Sequence, residues 1–381
     1  MLSIEAQYKY RMSDVLLSIV LLVLLYFRKV AGVYGNTGIA LVAGPLLVAG
    51  LIILFKKHTI RELIIWLSLL AFVTINFVLS QWANQLMLVI VLWSLRDFPF
   101  RSIMKVYFGA MVAQFVYGFL FHFIWNPTAY SVTQTRQVSI ESGWVSQTRY
   151  DLGYGHPNAM HLNMFTMVGL YIYLRKQLTI VEYVILLAIN HGLYLIGGSR
   201  TGMISLNALI ILMMLEQYFG IRKQIAKIMS FAPAFCLAIS LWGAANVANV
   251  GWLSSLDEVL QSRISLAHIN LDLNPDSLMG KTVNAPNGMG IDMGWLASWE
   301  TLGMIFTIGL VIFNIIVLQK LYKYGEYKLF VFLFVFCFYE MIENITTDPF
   351  TNVSLFFVLV VMQTSAKAKL AKSGQEVDYA K

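Results

Sequence analysis

Long apolar runs, each closed by one or two polar or charged positions, recur along the whole chain. At about 20 residues per membrane-spanning helix, they predict spans at 13–30, 38–55, 62–80, 82–95, 102–125, 157–174, 179–197, 202–219, 228–249, 294–318, 329–345 and 350–365. The expected fold class is therefore an all-α integral membrane protein of about twelve transmembrane helices. Run 82–95 is short. The last two runs flank Asp348-Pro349 and read either as two full spans or as one re-entrant hairpin.

Most connections on one side of this pattern are a few residues, but two are long, 126–156 and 250–293, and both fall on the same face. Loops are where a scaffold carries specific chemistry, and irregular backbone at the bilayer edge must fold against protein or water. That face is the functional candidate. Within the second loop, Leu256, Val259, Leu260 and Ile264 have helical spacing behind Ser254 or Ser255 as N-cap, which predicts an amphipathic helix lying along the membrane surface.

Composition agrees with the pattern. Of 381 residues, 58% are hydrophobic and 12% charged, against roughly 25% charged in a globular chain, so a soluble reading is excluded. The net charge of +7 records the sidedness of the loops and does not point to nucleic acid. With both termini cytoplasmic, seven of the 27 basic residues lie outside: Arg28, Lys29, Arg136, Arg149, Arg200, Arg263 and Lys281. The other 20 lie inside, as the positive-inside rule requires. The first run has no small-x-small cleavage site after Phe27 and is followed by Arg28-Lys29, so it reads as a retained helix. The tail 366–381 reads as a solvated cytoplasmic segment. Cys236 and Cys337 sit inside apolar runs and make neither a disulfide framework nor a metal set. No repeat or low-complexity tract divides the chain, which reads as a single membrane domain, 1–381.

Polar groups interrupt apolar sequence at four places on the outer face, where an ionisable side chain is costly unless it has a partner or a task. Gly153-Tyr-Gly155-His156-Pro157-Asn158 opens the sixth span. Pro157 suits a first helical turn, and the free N–H groups there attract an anion; His156 and Asn158 either cap the helix or serve such a site. Gly197-Gly198-Ser199-Arg200-Thr201-Gly202 separates two spans, with Ser199 or Thr201 as cap. Arg200 at the first turn opposes the helix dipole, so it either snorkels to headgroup phosphate or holds an anion together with the helix N–H groups. The third is Arg263 in the second long loop. The fourth is Gly290-Ile-Asp292-Met-Gly-Trp295, where Asp292 stands as an expected N-cap of the tenth span. Arg136 and Arg149 add positive charge or contact headgroups, and Glu343 is placed to pair with one of these arginines. A guanidinium fork suits phosphate oxygens, and these residues together read as a site for a phosphate-bearing lipid.

His156-Pro157-Asn158 before one span, Gly198-Ser199-Arg200-Thr201-Gly202 before a later one, a long outer loop with Arg263, and Asp292-x-x-Trp295 followed by Glu300-x-x-Gly303 resemble the O-antigen ligase and polysaccharide polymerase superfamily. Within it the chain is most similar to a Wzy-type capsular or exopolysaccharide repeat-unit polymerase. The resemblance covers roughly 150–320; elsewhere it rests on span number and topology. It implies a GT-C-like glycosyltransferase in a bacterial cytoplasmic membrane, working outside the cytoplasm on undecaprenyl-diphosphate-linked oligosaccharide repeat units. No nucleotide sugar, metal or other cofactor is implied, and a flippase and chain-length regulator are the implied partners beside membrane lipid. Arg200 and Arg263 match the arginines implied to hold the donor diphosphate. Where the ligase branch carries a His at the tenth-span entry, this sequence has Asp292.

The mechanism expected from these residues is transfer of a growing glycan from its carrier to a sugar hydroxyl of a lipid-linked repeat unit. Arginines steady the leaving diphosphate. Asp292 is the first choice to accept the hydroxyl proton, with His156 or Glu343 as substitutes, and Asn158, Ser199, Thr201, Arg149, Arg136, Trp295 and Glu343 are the expected substrate contacts. One base with a good leaving group points to inversion. The rival readings are a ligase of the same superfamily, a lipid-linked oligosaccharide flippase or other transporter, and a non-enzymatic sensor or scaffold. Transporters concentrate polar residues at mid-membrane, whereas mid-span polar residues here are few, Gln114 and Asn207 among them.

Overall fold

The computed structural model describes residues 16–22, 38–120, 124, 131–139, 143–154, 156–283, 291–346 and 352–372; for 38–43, 131–147 and 365–372 it describes the backbone alone. Within these residues the chain is predominantly helical. A helical stretch at 16–22 (α1) precedes α2 (Gly38–Phe55), α3 (Ile60–Ser80), α4 (Asn84–Leu95), α5 (Phe100–Leu120), α6 (Pro157–Leu174), α7 (Ile180–Gly197) and α8 (Arg200–Phe219). Then come α9 (Lys223–Met229), α10 (Ala232–Asn246), α11 (Gly251–Val259), α12 (Arg263–Leu273), α13 (Gly294–Leu302), α14 (Met304–Lys323), α15 (Tyr327–Tyr339) and α16 (Phe357–Lys372). Among the described residues, six stretches are long and apolar enough to cross a membrane: α3, α5, α7, α8, Lys223–Asn246 and α14. Large apolar side chains stand exposed on them, for example Ile64 on α3 and Val181 on α7. This is the make-up of an α-helical membrane protein.

Helix α6 has a different character because it is interior. Twelve of its 18 residues are buried, including His161, Asn163 and Thr166, so these polar groups face protein. Helix α8 packs against α6, α7 and α15. Phe165 of α6 meets the rings of Phe332, Phe336 and Tyr339 edge-on at 5.5, 5.5 and 5.1 Å, a geometry worth about 0.5–1.5 kcal/mol per pair. Gly169 admits Phe332, whose ring carbon would lie 2.5 Å from an added Cβ.

Three sequence expectations are modified. The run 294–318 is two helices, α13 and α14, broken at Gly303, whose φ of +85° suits glycine. The segment 277–281 fills the break: Met304 N–H donates to Ser277 O at 2.9 Å, Ile305 N–H to Leu278 O at 3.1 Å, and Lys281 N–H to Thr301 O at 3.0 Å. Second, the loop 250–293 holds two helices, α11 and α12, where one was expected. Third, the loop 126–156 contains an antiparallel hairpin, β1 (Ser131–Ser139) with β2 (Gly143–Tyr150), which the all-α expectation lacked. Its Val- and Thr-rich sequence is the missed signal. Asp348-Pro349, Arg28-Lys29 and the end of the tail lie outside the described residues.

Candidate functional site

The site forms where α6 and α8 begin and α7 and β2 end. His156 is the N-cap of α6, and its Nδ1 accepts the Asn158 N–H at 3.1 Å, with Pro157 at the first helical position. Ser199 caps α8 by accepting the Gly202 N–H at 3.3 Å, which leaves Arg200 in the first turn. Close approach requires small residues here. An added Cβ on Gly202 would sit 2.4 Å from His161 Cβ, and one on Gly197 would sit 2.5 Å from Met160 Cε. Beneath the site, His161 Nε2 meets Asn190 Oδ1 at 3.0 Å, and Asn190 donates to Met203 O and Asn207 Oδ1, both at 2.9 Å. This chain of bonds ties α6, α7 and the start of α8 together.

Glu343, in the turn after α15, is where these elements converge. Its Oε1 accepts from Asn158 Nδ2 at 3.0 Å, Thr201 Oγ1 at 2.8 Å and Arg263 Nη1 at 2.8 Å. Arg263 opens α12, is buried, and also donates to the Ile342 carbonyl. Its Nε lies 3.5 Å from Asp292 Oδ2. Asp292 does not cap α13, whose N-cap is Met293; its carboxylate is more than half exposed and turns to Arg263 instead. Gly294 makes the turn possible. An added Cβ there would stand 2.5 Å from Thr346 Oγ1 and 2.7 Å from Glu343 O, and its own N–H donates to Glu340 O at 2.8 Å.

Arg149, buried at the end of β2, donates through Nε to Gly197 O at 2.7 Å and through Nη2 to Asn158 Oδ1 at 3.2 Å. A cleft of about 340 Å³, counting its open mouth, is lined by Arg149, Arg200 and Arg263 together with Asn158, Ser199 and Thr201. Val259, Leu260 and Gln261 form its apolar-leaning edge. Three arginines thus line the cleft, and two carboxylates, Asp292 and Glu343, meet one of them, Arg263, so by formal charge the cleft remains cationic.

The surrounding protein, and then the Arg149 charge, hold the His156 pKa below its usual 6.5, although the residue is partly exposed. Because Nδ1 accepts a backbone N–H, the proton of the neutral ring sits on Nε2. The Nδ1 lone pair of His156 is therefore committed to the helix cap. That leaves the exposed Asp292 carboxylate as the better-disposed proton acceptor.

Of the residues singled out from sequence, His156, Asn158, Ser199, Arg200, Thr201, Arg149, Arg263, Asp292 and Glu343 come together. Trp295 does not join them: it is fully buried and donates its indole N–H to Cys337 O at 3.0 Å. Arg136 lies on β1 opposite Val145, four ladder positions from the Val132–Arg149 pair. Sequence reading missed Gln261. Helix α11 ends in a Schellman arrangement, with Ser262 N–H donating to Asp257 O at 2.9 Å and Gln261 N–H to Glu258 O at 3.1 Å. Gln261 and Ser262 take φ of 61° and 60°, at the position glycine normally fills. A glutamine kept there and lining the cleft is the signal a sequence could have given.

Among the described residues, no group of three or more His, Cys, Asp or Glu side chains is arranged to hold a metal ion. In comparisons with known proteins, no family model, no curated protein and no solved structure matches this chain.

Proposed function

We propose that the protein is a membrane glycosyltransferase of the polysaccharide-polymerase type, with about twelve spans, both termini cytoplasmic and the cleft facing out of a bacterial cytoplasmic membrane. A growing glycan on undecaprenyl diphosphate is transferred to a hydroxyl of a lipid-linked repeat unit. The observation that carries this reading is the convergence of Arg149, Arg200 and Arg263, from three separate segments, on one cleft beside two helix N-termini. Such a constellation suits a diphosphate, because charge-assisted bonds and helix N–H groups act on the same anion.

In the reaction, the acceptor hydroxyl oxygen bonds to the anomeric carbon as the bond from that carbon to the diphosphate oxygen breaks. The hydroxyl proton goes to Asp292, and the electron pair leaves on undecaprenyl diphosphate, whose charge Arg200 and Arg263 stabilise. Asn158, Thr201 and Arg149 hold the arginine side of the cleft in place.

Purified protein given synthetic lipid-linked repeat units in EDTA should produce a ladder of lengthening glycans. Arg200→Ala and Arg263→Ala should each lower the rate by roughly 100-fold or more, the usual scale for loss of a transition-state donor. Undiminished activity in both variants would overturn the diphosphate assignment. A single transferred product in place of a ladder would move the protein to the ligase reading.

A further inference from the structure

Helix α11 presents an apolar ridge that leads into the cationic cleft. Trp252, Leu256 and Val259, at i, i+4 and i+7, are 61%, 41% and 62% exposed. Leu253 and Asp257 point inward at 3% and 4%. The orientation is fixed by Asp257, whose carboxylate accepts the Ile264 N–H at 2.7 Å and the Ser265 N–H at 3.3 Å, pinning α11 to the start of α12. At its far end the ridge continues onto α10: Trp252 stacks on Trp242 with centroids 5.8 Å apart and planes 26° from parallel. Phe235, Ile239 and Trp242 of α10 form a second exposed row at the same spacing. At its near end, Val259 belongs both to the ridge and to the lining of the arginine cleft.

An apolar track about one side chain wide, ending among Arg149, Arg200 and Arg263, is complementary to an amphiphile with a single hydrocarbon tail and an anionic head. We infer that the α10–α11 ridge seats the prenyl tail of the diphosphate lipid whose head occupies the cleft. Helix α11 is then a guide that sets the angle at which the carrier enters. Bulk bilayer lipid needs neither the convergence on arginines nor the Trp242–Trp252 stack. The inference rests on the diphosphate reading of the cleft and adds the tail site to it.

The test uses the full chain in phosphatidylcholine nanodiscs, with farnesyl diphosphate as the tailed probe and inorganic pyrophosphate as the head alone. Wild type should bind farnesyl diphosphate at least about tenfold more tightly than pyrophosphate, by labelled-protein thermophoresis. Trp252→Ser/Leu256→Ser should erase that advantage and leave the pyrophosphate Kd within about twofold. These residues are exposed, so the variant should fold, and an unchanged gel-filtration profile checks it. The control Val181→Ser/Val184→Ser/Ile185→Ser, on the exposed face of α7, should keep the advantage. An advantage that survives in the α11 variant, or falls equally in the α7 control, overturns the tail site. Pyrophosphate binding with no tail advantage in wild type overturns the tail site alone. No pyrophosphate binding at all overturns the diphosphate reading and this inference with it.

Discussion

Arg263 Nη1 donates to Glu343 Oε1 across 2.8 Å, bridging positions 80 apart in sequence, with both side chains almost wholly shielded from water. Removing one member of such a pair strands the other, at a cost of roughly 3 kcal/mol. Arg263→Ala should therefore lower the thermal midpoint sharply. Adding Glu343→Gln to it should recover part of the loss, because the stranded carboxylate is gone. Strict additivity of the two changes in a double-mutant cycle would show that the pair is not coupled.

The glycines provide an internal comparison. Gly294→Ala places a methyl 2.5 Å from Thr346 Oγ1 and 2.7 Å from Glu343 O, whereas Gly192→Ala meets nothing within 4 Å. The first should cost about 1–3 kcal/mol and reduce transfer by displacing Glu343. The second should be neutral or slightly stabilising. Unfolding curves of the two variants, with turnover measured on the same preparations, decide the matter.

Gln261 carries a left-handed backbone at a helix C-terminus. Gln261→Gly should raise stability by about 1 kcal/mol by relieving that conformation. It should also weaken substrate affinity, since the amide that lines the cleft is lost. A variant that is both more stable and equally active would assign Gln261 to the turn alone.

His156 predicts a pH dependence. Its folded pKa is lowered from 6.5, so between that folded value and 6.5 the unfolded chain binds more protons than the folded one. Stability then rises with pH across that window, is fully present above 6.5, and is lost as the pH falls. His156→Asn, which keeps a capping acceptor, should flatten this slope in the pH range just below 6.5 in thermal unfolding. An identical slope in the variant would place the titration elsewhere.

Much of the helical framework was legible because hydrophobic runs dominate it: the runs at 38–55 and 157–174 match α2 and α6 residue for residue. The arginines were legible for a different reason, as charges standing where the bilayer edge penalises them. What sequence did not give is tertiary. That Asp292 turns to Arg263 instead of capping α13 depends on Glu340 O taking the Gly294 N–H. That Glu343 gathers Asn158, Thr201 and Arg263 depends on a turn 142 residues from Thr201. The break at Gly303 was marked by Glu300-Thr301 just before it, but the apolar run that resumes at once in α14 masked it.

Two helices near the site differ in how they are held. Helix α13, which begins beside Asp292, is braced at both ends: Gly294 is latched to Glu340, and Leu302 O receives Asn76 Nδ2 of α3 at 2.6 Å. Helix α11, which lines the cleft through Val259, is a nine-residue helix with seven residues exposed, fastened chiefly through Asp257 and the turn at Gln261–Ser262. On the proposed reading, a growing glycan would lie beside one helix braced at both ends and one anchored chiefly near its C-terminal end.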